Sequence, residues 1–150
     1  MNYASLCTNI QDITENTFTA DQLAMFTQQA EQKIYNTVQI SNLRKNVTGT
    51  LTNGNKYLAA PLDFLSVYSL AVFPTGGDYT YLLNKDVNFI RESFPASTGG
   101  TGSPQYYAIF GPASNDVTEL TFIVGPTPDA TYNAELHYYY YPESIVTAGT

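Results

Sequence analysis

Positive charge is scarce in this chain. Six Lys and Arg stand against thirteen Asp and Glu, leaving a formal net charge of −7 and a pI near 4.3. A protein that tracks a phosphate backbone needs clustered cations to displace counterions. Here the cations are Lys33, Arg44, Lys45, Lys56, Lys85 and Arg91, and only Arg44 and Lys45 are adjacent. That spacing excludes a basic grip on nucleic acid, whereas an acidic surface suits a passage through which DNA slides without sticking. Charge of either sign is thin, at 13% of residues against ~25% in ordinary soluble domains. Low charge with many Tyr, Thr and Asn is the composition of chains that live packed against copies of themselves, although secreted β-domains share it.

Other absences narrow the chemistry. Cys7 is the one cysteine, so an intramolecular disulfide is excluded; it lies on a helical stripe, where a thiol acts as a small hydrophobe. Met1 to Asn16 has neither a basic start nor a continuous apolar core, and no apolar run reaches the ~18 residues that span a bilayer. Synthesis in a reducing cytoplasm and no membrane partner are the expectations. The single histidine, His137, cannot build a His-rich metal site, and no calcium-loop, G-x-S-x-G or G-x-G-x-x-G pattern occurs. Gly99-Gly100-Thr101-Gly102 lacks the Lys-Ser/Thr of a phosphate loop and reads as part of a flexible surface loop, Ala96 to Pro104. The expectation is no catalytic, metal or cofactor site, and no enzyme.

Aromatic side chains are what the sequence has in quantity: 14% of residues, thirteen of them Tyr. They concentrate between Gln105 and Pro142, which reads as three strands, Gln105 to Phe110, Glu119 to Val124 and Thr131 to Tyr141, separated by Gly-Pro turns. In the last, alternation places Tyr132, Ala134, Leu136, Tyr138 and Tyr140 on a core face. Thr131, Asn133, Glu135, His137, Tyr139 and Tyr141 fall on the other. Two readings of that second face stand: cross-strand tyrosines stabilising a half-exposed sheet, or a surface that meets a partner.

Upstream, Tyr3, Leu6, Cys7, Ile10 and Ile13 recur at helical spacing, and Glu15-Asn16-Thr17 ends that helix. Thr19 is the predicted N-cap of a second helix, Ala20 to about Thr37, with Asp21 in its first turn. Its stripe is Leu23, Phe26, Ala30 and Ile34; such a stripe is ordinary core or a subunit contact. The two helices form an αα-hairpin that leaves apolar surface unmatched. The sheet, a neighbouring copy or a segment beyond Thr150 would cover it. Lys45 to Thr52 and Lys56 to Ala59 flank Asn53-Gly54-Asn55, a hairpin signal. Ser66 to Phe73 and Tyr79 to Leu83 form a second hairpin about Thr75-Gly76-Gly77-Asp78. Asn84 is the predicted cap of a short helix, Lys85 to Ser93, whose Val87, Ile90 and Phe94 face the sheet and which Pro95 stops. The fold class is α+β: an N-terminal helical hairpin, then a mostly antiparallel β-sandwich-like sheet with one inserted short helix. Residues 1–150 read as a single domain with a helical part, 1–44, and a β-rich part, 45–150.

Three stretches, PQYYAIFG, TELTFIVGPTPDATYNAELHYYYYPE and NLRKNVTGTLTNGNKYLAAPLDFLSVYSLAV, resemble the head-to-tail adaptor proteins of short-tailed bacteriophages, of the tail tubular protein A type. The resemblance covers nearly the whole chain, and its motifs are structural. It implies a homo-oligomeric ring below the portal protein at the head-tail interface of the virion. Such a ring lines the channel, lets DNA pass without specific binding, and anchors tail nozzle and tail fibre proteins. Such proteins usually continue past Pro-Glu-Ser into further helices, so a longer chain or neighbouring copies would supply what lies beyond Thr150. Candidate subunit or partner contacts are Leu23, Phe26, Ile34, Glu135, His137, Tyr139 and Tyr141. The alternative from the binding class is a glycan-recognising β-module of a phage tail or surface protein, resting on the same tyrosines.

Overall fold

A computed structural model describes residues 2–95, 100–112 and 120–148. It is α+β, and the chain divides into two compact units, Met1–Leu43 with Tyr141–Thr150, and Arg44–Tyr140.

The first unit holds α1 (Tyr3–Thr14) and α2 (Ala20–Thr37). Asn2 caps α1, its Oδ1 accepting the Ser5 amide at 2.9 Å, and Glu15 closes it in the left-handed region at φ 51°. Thr19 is the N-cap of α2, as its sequence position predicts, and Gln22 completes a reciprocal capping box. Residues 141–148 belong to this unit and are tied to α2 by two bonds: Tyr141 Oη donates to Asn36 Oδ1 at 2.8 Å, and the Ile145 amide donates to Glu31 Oε1 at 2.9 Å.

The second unit is a sandwich. Its strands are β1 (Arg44–Leu51), β2 (Tyr57–Ala59), β3 (Phe64–Phe73), β4 (Thr80–Tyr81), β5 (Leu83–Asn84), β6 (Thr101–Gly102), β7 (Tyr106–Gly111), β8 (Thr121–Gly125), β9 (Thr127–Pro128) and β10 (Tyr132–Tyr140). One sheet has the order β1-β10-β3-β4 and the other β2-β8-β7-β5, with β6 and β9 as a small parallel pair. Between the sheets lie Leu51, Phe64, Leu70, Val72, Tyr107, Phe122, Val124, Leu136 and Tyr138. The short helix α3 (Val87–Ser93) covers the far face of the second sheet, where Ile90 packs with Ala108 and Ile123. Strand β8 is therefore buried at all of its positions, which explains its unbroken apolar run. Gly125 lets α3 approach: a Cβ there would lie 2.7 Å from Phe94 Cδ2 and 3.0 Å from Ile90 Cγ2.

Two sequence expectations are corrected. Asn53-Gly54-Asn55 does turn the chain, with Gly54 at φ 77°, but β1 and β2 do not form a hairpin. β1 pairs with β10 and β2 with β8, so the turn passes the chain from one sheet to the other; Leu51 and Leu58 enter the inter-sheet core from its two sides. The helix cap is Asp86, whose side chain accepts the Asn88 amide at 2.8 Å, because Asn84 is already committed to β5. The second predicted hairpin is present as β3 against β4. Residues 96–99 of the glycine-rich loop and Glu119, the expected start of a strand, lie outside the described residues.

Candidate functional site

The outer face of the first sheet is built by a change of register. His137 pairs with Ser69 but Tyr138 with Val67, so Tyr68 is the extra residue of a β-bulge. Strict alternation would carry Tyr68 inward with Leu70 and Val72. The bulge instead leaves it outward, beside the outward residues of β10. Its ring centroid lies 5.0 Å from that of His137 and 6.2 Å from that of Tyr139, both edge-on. A second register shift, between Tyr139 and Tyr140, returns Phe64 to the interior.

Arg44 pairs with Tyr139 across β1 and β10, and its guanidinium carbon stands 4.4 Å from the Tyr68 ring centre and 5.6 Å from that of Tyr139. Tyr139 is thereby only 8% exposed, while Tyr68 is 55% exposed. Further along the same face, Phe73 and Tyr79 stack at 4.2 Å, and Tyr79 and Tyr81 continue the row. Tyr79 Oη donates to Glu135 at 3.3 Å. Lost hydration first, then the Glu135 charge, raise the Tyr79 pKa above the usual phenol value. The result is a row of rings with one cation at one end and one carboxylate in the middle.

The opposite side of β10 serves the core. Tyr138 Oη donates to Asp63 Oδ1 at 2.9 Å, and Asp63 Oδ2 takes the Lys45 ammonium at 2.6 Å. The Lys45 ammonium also lies 4.0 Å from the Tyr140 ring centre. Burial, then the Asp63 hydrogen bond and charge, push the Tyr138 pKa up to about 12. Burial alone would raise Asp63, but the bonds from Lys45 and Tyr138 outweigh it and hold the carboxyl below its ordinary value.

The helical unit carries a separate feature, an apolar groove of about 580 Å³ whose walls include Leu6, Ile10, Phe26, Ala30, Ile34 and Ile145. Leu23 is buried, but Phe26 and Ile34 remain 40% and 49% exposed. Part of the hairpin's apolar surface thus stays open even with residues 141–148 against α2.

The seven residues singled out from sequence fall on two surfaces. Glu135, His137 and Tyr139 share the outer face of the first sheet; Leu23, Phe26, Ile34 and Tyr141 belong to the helical unit. Tyr141 leaves the face on which alternation placed it, because β10 ends at Tyr140 and the Tyr141 ring turns to Tyr35, 6.5 Å away and edge-on. Arg44, Tyr68, Tyr79 and Tyr81 were missed. Aromatic content marked the strands they lie on, but cross-strand register alone brings them together.

Among the described residues no group of three or more His, Cys, Asp or Glu is placed to hold a metal ion, and no helix is long and apolar enough to cross a membrane. The sheet face offers rings with Arg44 and Glu135, and the groove offers aliphatic and aromatic side chains. Comparison with curated proteins finds no match. Comparison with family models matches residues 1–150, the entire sequence, to the family described as SU10 adaptor protein. That match agrees with the phage-adaptor resemblance of the sequence at the level of a structural adaptor, and it does not single out the tail tubular protein A type. The chain belongs to the SU10 adaptor protein family, a family of phage structural adaptors that join other head and tail proteins of the virion.

Proposed function

We propose that this chain is the head-to-tail adaptor of a short-tailed phage, forming a ring below the portal that lines the DNA channel and anchors tail nozzle and fibre proteins. The observation that carries the reading is the family match over residues 1–150. The open groove beside Phe26 and Ile34 supports it, since an apolar surface of this kind is stabilised by a neighbour. A ring closes by heterologous contact, in which one edge of each copy matches a different edge of the next. Phe26, Ile34 and Tyr141 are the proposed contacts on the helical unit, with Leu23 supporting them from inside. Glu135 and His137 are the proposed contacts on the sheet, with Tyr139 beneath. The −7 charge suits a lumen through which DNA moves without adhering. Imaging of assembled particles and native mass spectrometry of the purified protein test this. A ring at the head-tail joint is expected, and a protein found only as a monomer that binds no portal would overturn it.

A second reading, a glycan-binding module, draws on the exposed row Tyr68, Tyr79 and Tyr81 with Glu135 between them. Binding of a glycan array by the monomer, lost in Tyr81→Ala, would favour it over assembly.

A further inference from the structure

One cation of this acidic chain is held in place with nothing to bind. Lys45 is paired with Asp63, the one ion pair among the described residues. The side chain of Arg44, its neighbour in sequence, makes no hydrogen bond or ion pair among the described residues, and its Nε is buried without a partner. Its guanidinium is nonetheless positioned, over Tyr68 at 4.4 Å and near Tyr139 at 5.6 Å. A flexible arginine on an open surface gains little from a fixed position. Here one supporting ring is buried and the other is placed by a bulge, so the arrangement is prepared by the fold.

Guanidinium presents five N–H donors in one plane, a fork that matches two oxygens of a planar or tetrahedral anion. Aromatic rings hold the cation by its faces without using those donors. Nε is enclosed, so the donors left to an incoming group are those of the two terminal nitrogens, and a bidentate acceptor is the group that engages both. A carboxylate and a phosphate are the two that match, and charge decides between them. Duplex DNA would approach a chain of net charge −7, and effective phosphate binding uses several cations together, whereas the cation next to Arg44 in sequence, Lys45, is already held by Asp63. A second copy of this chain brings thirteen Asp and Glu against six Lys and Arg, a surplus of the acceptor Arg44 lacks. Tyr and Arg in a rigid, partly dehydrated cluster are also the side chains that dominate protein contacts.

We propose that the Arg44–Tyr68–Tyr139 cluster is a subunit contact that receives a carboxylate of a second copy of this chain. The inference rests on the assembly reading above and assigns one end of the heterologous contact.

The test is self-association of the full chain, followed by analytical ultracentrifugation over a range of salt, for the wild type, Arg44→Met and Arg44→Lys. Met keeps an unbranched apolar stem against Tyr68 and removes charge and donors; Lys keeps the charge and loses the fork. The expected result is self-association of the wild type that weakens with salt, about tenfold or more weaker in Arg44→Met, and intermediate in Arg44→Lys. Circular dichroism melts confirm that the variants are folded, and should Arg44→Met fail to fold, the Lys variant carries the test. Wild-type assembly unchanged in the folded variant would overturn this inference and leave the assembly reading standing. A wild type that stays monomeric would overturn this inference, and one that also binds no portal would overturn both. Arg44-dependent retention of duplex DNA with unaltered self-association would also overturn it and assign the fork to phosphate.

Discussion

Tyr138 and Asp63, 75 positions apart in sequence, meet at 2.9 Å where the last strand of the first sheet passes the turn that opens β3. The bond joins the core to a polar tip: the Tyr138 ring lies in the interior, stacked on Phe64 at 5.9 Å, while its hydroxyl reaches a carboxylate that Lys45 also holds.

This pair makes stability depend on pH at both ends. Tyr138 is raised to about 12 in the folded chain, against ~10 when unfolded. Its contribution is full below pH ~10 and is lost as pH rises toward 12. A shift of that size corresponds to roughly 2–3 kcal/mol. Asp63 is lowered, so its contribution is present above the ordinary carboxylate value of ~3.9 and fades as pH falls through the folded value. Chemical denaturation from pH 9 to 12 should show a falling stability that Tyr138→Phe flattens; Asp63→Asn should flatten the acid limb. Alkaline slopes that match in wild type and Tyr138→Phe would contradict the assignment.

Gly125 gives a steric prediction. Gly125→Ala places a methyl against Phe94 and Ile90 and should cost about 1–3 kcal/mol through displacement of α3. Urea denaturation measures it. A neutral result would mean that α3 packs less closely on β8 than these distances state.

At the interior, Phe122 touches Phe64 and Tyr107 edge-on and is buried between the sheets. Phe122→Ala should destabilise the sandwich by about 3–5 kcal/mol. The same urea titration reads the shift in midpoint, with the slope unchanged if the unfolded state is unaffected.

Helix ends offer two changes of opposite sign. Thr19→Ala removes the side-chain half of the capping box at α2, the acceptor of the Gln22 amide, and should cost about 1 kcal/mol. Glu15→Gly relieves a left-handed residue at the end of α1 and should gain up to ~1 kcal/mol. Thermal melts followed at 222 nm separate them, and a loss of stability in Glu15→Gly would show that the Glu15 side chain contributes more than its backbone strain costs.

The open groove of the helical unit separates fold from assembly. Phe26 and Ile34 are half exposed, so Phe26→Ser and Ile34→Ser should leave the melting temperature within a few degrees of wild type. Both should weaken self-association or portal capture severalfold. Unfolding in either variant with no change in assembly would identify the groove as core and remove it from the contact surface.

What the sequence determined by itself was local and periodic. Helical spacing with Thr19 before it located α2, and alternation in Thr131 to Tyr141 assigned both faces of β10 from Tyr132 to Tyr140. Those patterns are legible because each residue's environment follows from the period of its own strand or helix. Glu135, His137 and Tyr139 were placed on the outer face for that reason, and Phe26 and Ile34 on the stripe of α2. Tertiary structure decided the rest. Strand pairing sent β1 and β2 to different sheets despite the Asn-Gly turn between them: β1 pairs with β10 along its whole length, and β2 joins β8 across the core. The bulge at Tyr68 brought that ring outward, beside Arg44 and Tyr139. The bonds of Tyr141 to Asn36 and of the Ile145 amide to Glu31 drew the end of the chain to α2 instead of extending the strand. Register, bulges and the destination of a chain end depend on partners far away in sequence, and no local pattern encodes them.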